Sequence, residues 1–226
     1  MSAAGKSVTM PLRYRPVRRL VQLQIGLMLY GVSMALMIRA RLGLDPWDVF
    51  HQGIANHTGL SFGTVVIITG ALVLLLWIPL RQRPGIGTVS NVIVIGLAVD
   101  AALWVLPAPS PLWARWALLV AGIVGNGIAT GMYIGARLGP GPRDGLMTGL
   151  VARTSRSIRL VRTSIEVTVL AVGFLLGGTV GIATVLYALS IGPLTQLFLP
   201  LFSVRERHLQ PDSQPAPDAP SPAALH

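Results

Sequence analysis

Residues 40–48 read ARLGLDPWD, and residues 136–144 read ARLGPGPRD. The same shift of 96 residues aligns 21–104 with 117–200 without a gap, with identical residues at 24 of the 84 aligned positions. Apolar composition raises chance identity, but it does not explain shared arginine, proline and aspartate residues. The chain therefore contains two copies of one structural unit.

The composition identifies the class of protein that these copies build. Hydrophobic residues make up 52% of the 226 residues and charged residues 12%, with a mean hydropathy of +0.65. A soluble domain carries about 25% charged residues, and several apolar runs here reach the length of about 18 residues that crosses a bilayer. We predict an all-α membrane protein with six transmembrane helices, at about 20–38, 62–80, 88–106, 113–134, 160–178 and 180–200.

Each copy has three predicted spans, so the second copy must enter the membrane from the opposite side. Basic residues test this orientation. With the N-terminus in the cytoplasm, 15 of the 18 basic residues fall on the cytoplasmic side, and only Arg39, Arg41 and Arg115 fall outside. The positive-inside rule therefore predicts two inverted repeats with both termini in the cytoplasm.

These spans divide the chain into three parts. We expect a basic cytoplasmic segment at 1–19, a membrane domain at 20–202 and a proline-rich, disordered cytoplasmic tail at 203–226. The lipid bilayer is the expected partner of the membrane domain. The net charge of +10 is explained by orientation in the membrane, so we expect no nucleic-acid partner.

A short polar segment follows the first span of each repeat, at 45–59 and 141–157. Asp45 and Pro46 are typical of a helix start, with Asp45 as the N-cap and Pro46 in the first turn. The carboxylate of Asp48 would interact favourably with the unpaired backbone N–H groups of that turn. Each segment is predicted to form a short amphipathic helix. It either lies at the membrane interface or dips into the bilayer as a re-entrant element.

Three of these features together resemble the YczE-like family of bacterial integral membrane proteins, which looks related to the wider YitT-type group. They are the DPWD element at 45–48, the GIGT turn at 85–88 and the GPRD element at 141–144. The resemblance covers about 18–202. It implies a similar topology and a place in the bacterial inner membrane, and it carries over no substrate, cofactor or catalytic residue.

Two repeated pairs of charged residues are candidates for a pathway or gate, namely Arg41 with Asp48 and Arg137 with Asp144. In a structural interpretation, each arginine and aspartate hold the tight turn before the short helix. In a functional interpretation, the two short helices point at a central site from opposite faces, as interrupted helices do in inverted-repeat transporters.

Asp100 is the most telling single residue, because its span places it past the bilayer centre, where a charge costs roughly 2.5–3.5 kcal/mol. It either marks a pathway or makes a buried hydrogen bond to Asn91, Asn126 or a backbone group. Asn126 is a further pathway candidate, with interhelical hydrogen bonding as its default role. Glu166 is expected to pair with Arg162, four residues earlier.

No hydrolase, phosphate-binding or metalloprotease motif occurs in the sequence, the chain has no cysteine, and the histidines lack metal-ligand spacing. We therefore expect no cofactor, no metal and no enzymatic activity. The sequence favours a carrier for a small solute or ion. The alternative is a membrane protein that regulates or scaffolds others, or forms homo-oligomers, through glycine faces such as Gly127, Gly131 and Gly135. An intramembrane enzyme is the third option.

Overall fold

In a computed structural model, residues 15–203 form eight α-helices and no strand. Most of the basic N-terminal segment (1–14) and the tail predicted to be disordered (from 204) lie outside the described residues. The helices are α1 Pro16–Ala40, α2 Pro46–Thr58, α3 Phe62–Leu80, α4 Ile86–Val105, α5 Leu112–Gly135, α6 Pro142–Thr154, α7 Ile158–Leu175 and α8 Ile182–Phe202.

Five of these helices, α1, α3, α4, α5 and α8, have the length and apolar composition needed to cross a membrane. The sixth predicted span corresponds to α7, which is 18 residues long and carries Arg159, Arg162 and Glu166. Large apolar side chains cover the outer surface, with Trp104 90% and Leu175 82% exposed. Such a surface suits lipid rather than water, and the chain is an integral membrane protein.

The two short helices, α2 and α6, form where the sequence predicts them. Each has 13 residues and starts at a proline, and the two starts are 96 residues apart. Asp45 caps α2, since its Oδ1 accepts hydrogen bonds from the backbone N–H groups of Trp47 (2.9 Å) and Asp48 (3.0 Å). Gly141 holds the equivalent position in α6 and offers no side-chain cap.

The two repeats pack through reciprocal contacts, in which helices of one repeat lie against helices of the other. Helix α1 packs along α5, while the short helix of each repeat packs against the second long helix of the other, α2 on α7 and α6 on α3. The indole N–H of Trp77 in α3 donates to the carbonyl of Pro142 in α6 at 3.1 Å. Neither short helix is therefore positioned by its own repeat alone.

Two arginines join the repeats at the ends of their first helices. Arg19, near the start of α1, donates to the carbonyl oxygens of Ala136 (2.9 Å) and Arg137 (3.0 Å) at the end of α5. Arg115, near the start of α5, donates to the carbonyl oxygens of residues 40 and 41 at 2.7 and 2.6 Å. Because the start of each helix meets the end of the other, α1 and α5 run antiparallel.

A second equivalent pair of bonds lies beside the first. The backbone N–H of Gly87 donates to the carbonyl of Leu138 at 2.9 Å, and that of Ala183 donates to Leu42 at 3.0 Å. Donors and acceptors are each 96 residues apart, so the same contact is made twice, once in each direction between the repeats.

The glycine face of α5 is used inside the chain. A Cβ atom added to Gly127, Gly131 or Gly135 would lie within about 3 Å of Leu194, Phe198 or Phe202 on α8. Small residues thus let α5 and α8 approach closely. The structure does not test pairing between two copies of the chain, which stays a prediction.

Candidate functional site

A cavity of about 400 Å³ lies at the centre of the helices and takes lining residues from all eight of them. Residues at equivalent positions of the two repeats line it in pairs, such as Trp47 with Arg143 and Asn91 with Tyr187. The charged side chains on its wall are Asp45, Arg143, Asp144, Arg162 and Glu166. This size and mixture of charged, aromatic and apolar groups is typical of a small-molecule site.

Arg143 is the central charged group of the cavity. Its Nη1 lies 3.9 Å from Asp45 Oδ1 and its Nη2 lies 3.9 Å from Asp48 Oδ1. The guanidinium also sits over the ring of Trp47, 4.9 Å from the centroid, at a distance typical of a cation–π contact. One arginine from the second repeat thus bridges two carboxylates and an aromatic ring from the first.

The two carboxylates beside Arg143 are buried, with Asp45 2% and Asp48 0% exposed. Their Oδ2 atoms have no hydrogen-bond partner. Burial and, to a smaller extent, the neighbouring charge of Asp48 together raise the pKa of Asp45 to about 6, against the opposing effect of Arg143. Burial likewise raises the pKa of Asp48 to about 6, although Arg143 favours its ionised form.

His51 completes this cluster. Its Nδ1 lies 3.2 Å from Asp48 Oδ1. Burial and, to a smaller extent, the charge of Arg143 together lower the pKa of His51 to about 3. The imidazole is therefore neutral near pH 7, and its N–H donates to Asp48 without adding a positive charge.

Hydroxyl groups of two tyrosines hold polar side chains at and beside the cavity. Tyr133 donates to Asp144 Oδ2 at 3.0 Å, and Tyr187 donates to Asn126 Oδ1 at 3.0 Å. Asn126 is fully buried and makes the interhelical bond that the sequence predicts for it. The rings of Tyr30 and Tyr133 meet edge to face at 6.2 Å. Asp144 is thus fixed at the wall by one hydroxyl group.

The predicted pair of Arg162 and Glu166 is confirmed. Arg162 Nε donates to Glu166 Oε1 at 2.9 Å, and both residues line the cavity. The guanidinium and the carboxylate neutralise each other, which lowers the cost of placing either charge among apolar helices.

Asp100 lies outside the cavity. Its Oδ2 accepts from the hydroxyl of Ser61 at 2.5 Å, and its Oδ1 accepts from the backbone N–H of Gly63 at 2.7 Å. Of the partners predicted for Asp100, the structure therefore shows a backbone group, and it adds the hydroxyl of Ser61. A carboxylate at this place stabilises the N-terminus of α3. The pathway role of Asp100 stays a prediction that these contacts do not support.

Arg41 and Arg137 contribute backbone groups at the repeat junction. Both adopt left-handed conformations, with φ of 52° and 53°, and their carbonyls accept from Arg115 and Arg19. Asp48 pairs with His51 and Arg143 instead of Arg41, because it is buried while Arg41 is exposed. The structure thus brings Asp48 and Asp144 to the centre and leaves Arg41 at the surface.

Sequence reasoning missed Arg143 as a site residue. The signal was present, since Arg143 aligns with Trp47 inside otherwise similar elements. Such an exchange between repeats is expected where two equivalent positions meet and need complementary side chains. Among residues 15–203, no group of three or more potential metal ligands occurs.

Known proteins are similar in sequence to this chain over most of its length. Residues 17–200 match the model of the family of unknown function DUF6198. An uncharacterized protein of Haemophilus influenzae is 42% identical over 177 residues, covering 78% of this chain and 81% of that protein.

Two Bacillus subtilis proteins are also similar to the chain. The uncharacterized membrane protein YczE is 36% identical over 172 residues, covering 76% of this chain and 80% of YczE. The uncharacterized protein YyaS is 26% identical over 188 residues, covering 81% and 92%. No solved structure matches. The chain therefore belongs to the family of unknown function DUF6198, in agreement with the resemblance to YczE-like membrane proteins that its repeated elements predicted.

Proposed function

We propose that the protein carries a small polar solute or ion across the bacterial inner membrane through the central cavity. The observation that supports this most is a cavity of about 400 Å³ with charged walls, built from equivalent positions of both repeats. Transporters made of inverted repeats bind their substrates at such an interface, near the membrane midplane. Charged residues inside a membrane domain are costly and usually serve a pathway.

The proposal includes six spans and opposite orientations of the two repeats. The antiparallel contact of α1 with α5 through Arg19 and Arg115 supports inversion. The pairing of Arg162 with Glu166 beside the cavity supports α7 as the sixth span, since the two charges neutralise each other and lower the cost of placing them in the membrane. In this arrangement both termini are cytoplasmic, and α2 and α6 enter as re-entrant elements from opposite sides.

Single cysteines test this topology, because the chain has none of its own. In intact cells, a membrane-impermeant maleimide should label Ser110→Cys and Thr179→Cys. Arg83→Cys and Thr154→Cys should react only after permeabilisation. Labelling of Arg83→Cys in intact cells, at the same rate as Ser110→Cys, would contradict the inverted arrangement.

Transport itself is tested with the full-length protein in lipid vesicles, by measuring uptake across a panel of cationic, anionic and neutral metabolites. We expect flux of at least one class, lost in Arg143→Gln because Asp45 and Asp48 then lose their counter-charge. Asp100→Asn is the matched control, since Asp100 lies outside the cavity. A flux that is equal in the wild type and Arg143→Gln, with Arg143→Gln correctly folded, would exclude this cavity as the route.

The alternative of a regulator or scaffold needs free surfaces for other proteins. The glycine face of Gly127, Gly131 and Gly135 is packed against α8, so it offers no room for a partner helix in this conformation. We propose a carrier rather than a scaffold or an enzyme.

A further inference from the structure

We propose that the cavity binds a small organic cation, with the carboxylate of Asp144 as its counter-charge and aromatic rings of the wall around it. This inference rests on the proposed function, because it names the solute class that the carrier would move. Four aromatic side chains line the cavity, namely Tyr30, Trp47, Tyr133 and Tyr187.

The balance of charges at the cavity favours a cation. Four carboxylates lie on or directly behind its wall, and two arginines oppose them, while His51 is neutral near pH 7. Two negative charges therefore remain without a counter-charge. Uncompensated charge in an apolar interior is costly, and a bound cation reduces that cost. The carboxylates are Asp45, Asp48, Asp144 and Glu166.

Both arginines already have anionic partners inside the protein. Arg162 is hydrogen-bonded to Glu166 at 2.9 Å, and Arg143 lies between two aspartates. A bound anion would have to compete with these carboxylates and would meet an excess of negative charge. An anionic solute therefore fits the walls worse than a cation does.

The buried aspartates give a second, independent observation. Asp45 lines the cavity, and its Oδ2 is buried without a hydrogen-bond donor, as is Oδ2 of Asp48. Buried carboxylate oxygens normally have partners. Because these oxygens are buried, a bound cation would act on Asp45 and Asp48 through its positive charge rather than through a hydrogen bond. Asp144, which accepts from Tyr133 on one oxygen, offers a further acceptor at the same wall.

The shape and lining of the cavity favour an organic cation over a metal ion. Metal ions require several oxygen or nitrogen ligands at about 2.0–2.6 Å, and residues 15–203 contain no group of three or more such ligands. The volume of about 400 Å³ is far larger than a bare ion needs. Aromatic faces attract ammonium groups through cation–π interactions, so a protonated amine or quaternary ammonium suits both the rings and the carboxylates.

Binding is measured by calorimetry on the purified full-length protein in detergent. The probes are choline, its neutral isostere 3,3-dimethylbutan-1-ol, and acetate at equal ionic strength. We expect choline alone to bind, because it carries the positive charge that the walls lack. Binding of acetate or of the neutral alcohol to the wild type, without binding of choline, would overturn the proposal whatever the variants do.

Variants then test the role of Asp144. Asp144→Asn should weaken choline binding about tenfold or more, and Asp144→Glu should retain it because the charge is kept. Asp100→Asn, a carboxylate outside the cavity, should bind choline like the wild type. Equal choline affinity in folded Asp144→Asn and the wild type would remove Asp144 from the site.

The outcomes separate this inference from the proposed function. Choline binding without flux of any solute in vesicles would contradict transport and retain the cation site. Flux of anionic or neutral solutes without choline binding would retain transport and contradict the cation site.

Discussion

Arg19 and Arg115 stand at equivalent positions of the two repeats, and each caps the first helix of the other repeat. The last carbonyl groups of a helix have no hydrogen-bond partner within that helix. A cation at that end also interacts favourably with the negative end of the helix dipole. Inside the bilayer, an unpaired carbonyl group has no water molecule to accept a hydrogen bond from. This relationship therefore gives Arg115 a structural role on the side of the membrane that is predicted to carry few basic residues.

Arg115→Gln should lower the stability of the protein in detergent. It removes two hydrogen bonds from a charged group, each worth about 1.5–3 kcal/mol, and we expect the low end because Arg115 is partly exposed. The measurement is the temperature at which half of the protein remains monodisperse by size-exclusion chromatography. Arg159→Gln, at an exposed arginine of α7, is the control. Equal midpoints for the two variants would contradict the capping role.

Gly85→Ala and Gly181→Ala should both destabilise the repeat junction. The added Cβ would lie 2.4 Å from the carbonyl oxygen of Leu138 in the first case and 2.3 Å from that of Leu42 in the second. Overpacking of this kind typically costs about 1–3 kcal/mol. Gly192→Ala is the control, because nothing lies within 4 Å of its added Cβ. The same thermal assay checks this, and a midpoint for Gly85→Ala matching that of Gly192→Ala would be inconsistent with a tight junction.

Asp100→Asn should loosen the start of α3 without changing the central cavity. The neutral amide weakens the bonds from the Ser61 hydroxyl and the Gly63 N–H, and hydrogen bonds to charged groups contribute about 1.5–3 kcal/mol. Hydrogen–deuterium exchange should rise at the first turn of α3 and stay constant in α2 and α6. Faster exchange in α2 and α6 as well would mean that Asp100 acts on the cavity after all.

Cation affinity should depend on pH through Asp45 and Asp48. Both have a pKa of about 6, so they are mostly ionised above pH 6 and gain protons below it. Choline binding should therefore be tightest above pH 6 and weaken as the pH falls to 5. The charged and titratable groups that face this pair are Arg143, His51, Tyr30 and Tyr187.

The control for the pH dependence is Asp48→Asn, which removes one of the two titrating carboxyl groups. Calorimetry at pH 5, 6, 7 and 8 should give a flatter profile for this variant than for the wild type. An identical profile would assign the pH dependence to other groups.

Local sequence signals predicted the helices well. Apolar runs gave six long helices close to their observed bounds, and the Asp45-Pro46 signature gave the start of α2. These predictions succeed because hydropathy and helix capping depend on neighbouring residues. Crossing of the membrane by α7 stays a prediction, since length and composition support only five spans.

The candidate site was predictable only in part. Asp48 and Asp144 were found because the repeat duplicates them, but the contacts of Arg143 with Asp45 and Asp48 cross from one repeat to the other. Asp100 was predicted as a pathway candidate because of its expected depth in the bilayer. Its hydrogen-bond partner Ser61 lies 39 residues away in sequence. Such long-range pairings follow from packing, which a pattern of residue types does not specify.

The bonds between Arg115 and the end of α1 have a consequence for biogenesis. Arg115 is synthesised 75 residues after Ala40, which at about 5–20 residues per second takes roughly 4–15 s. During that interval α1, α3 and α4 lack the contacts that α5 later makes with the end of α1. A chain interrupted near residue 108 would therefore leave the carbonyl groups of Ala40 and Arg41 without the side-chain donor that Arg115 supplies.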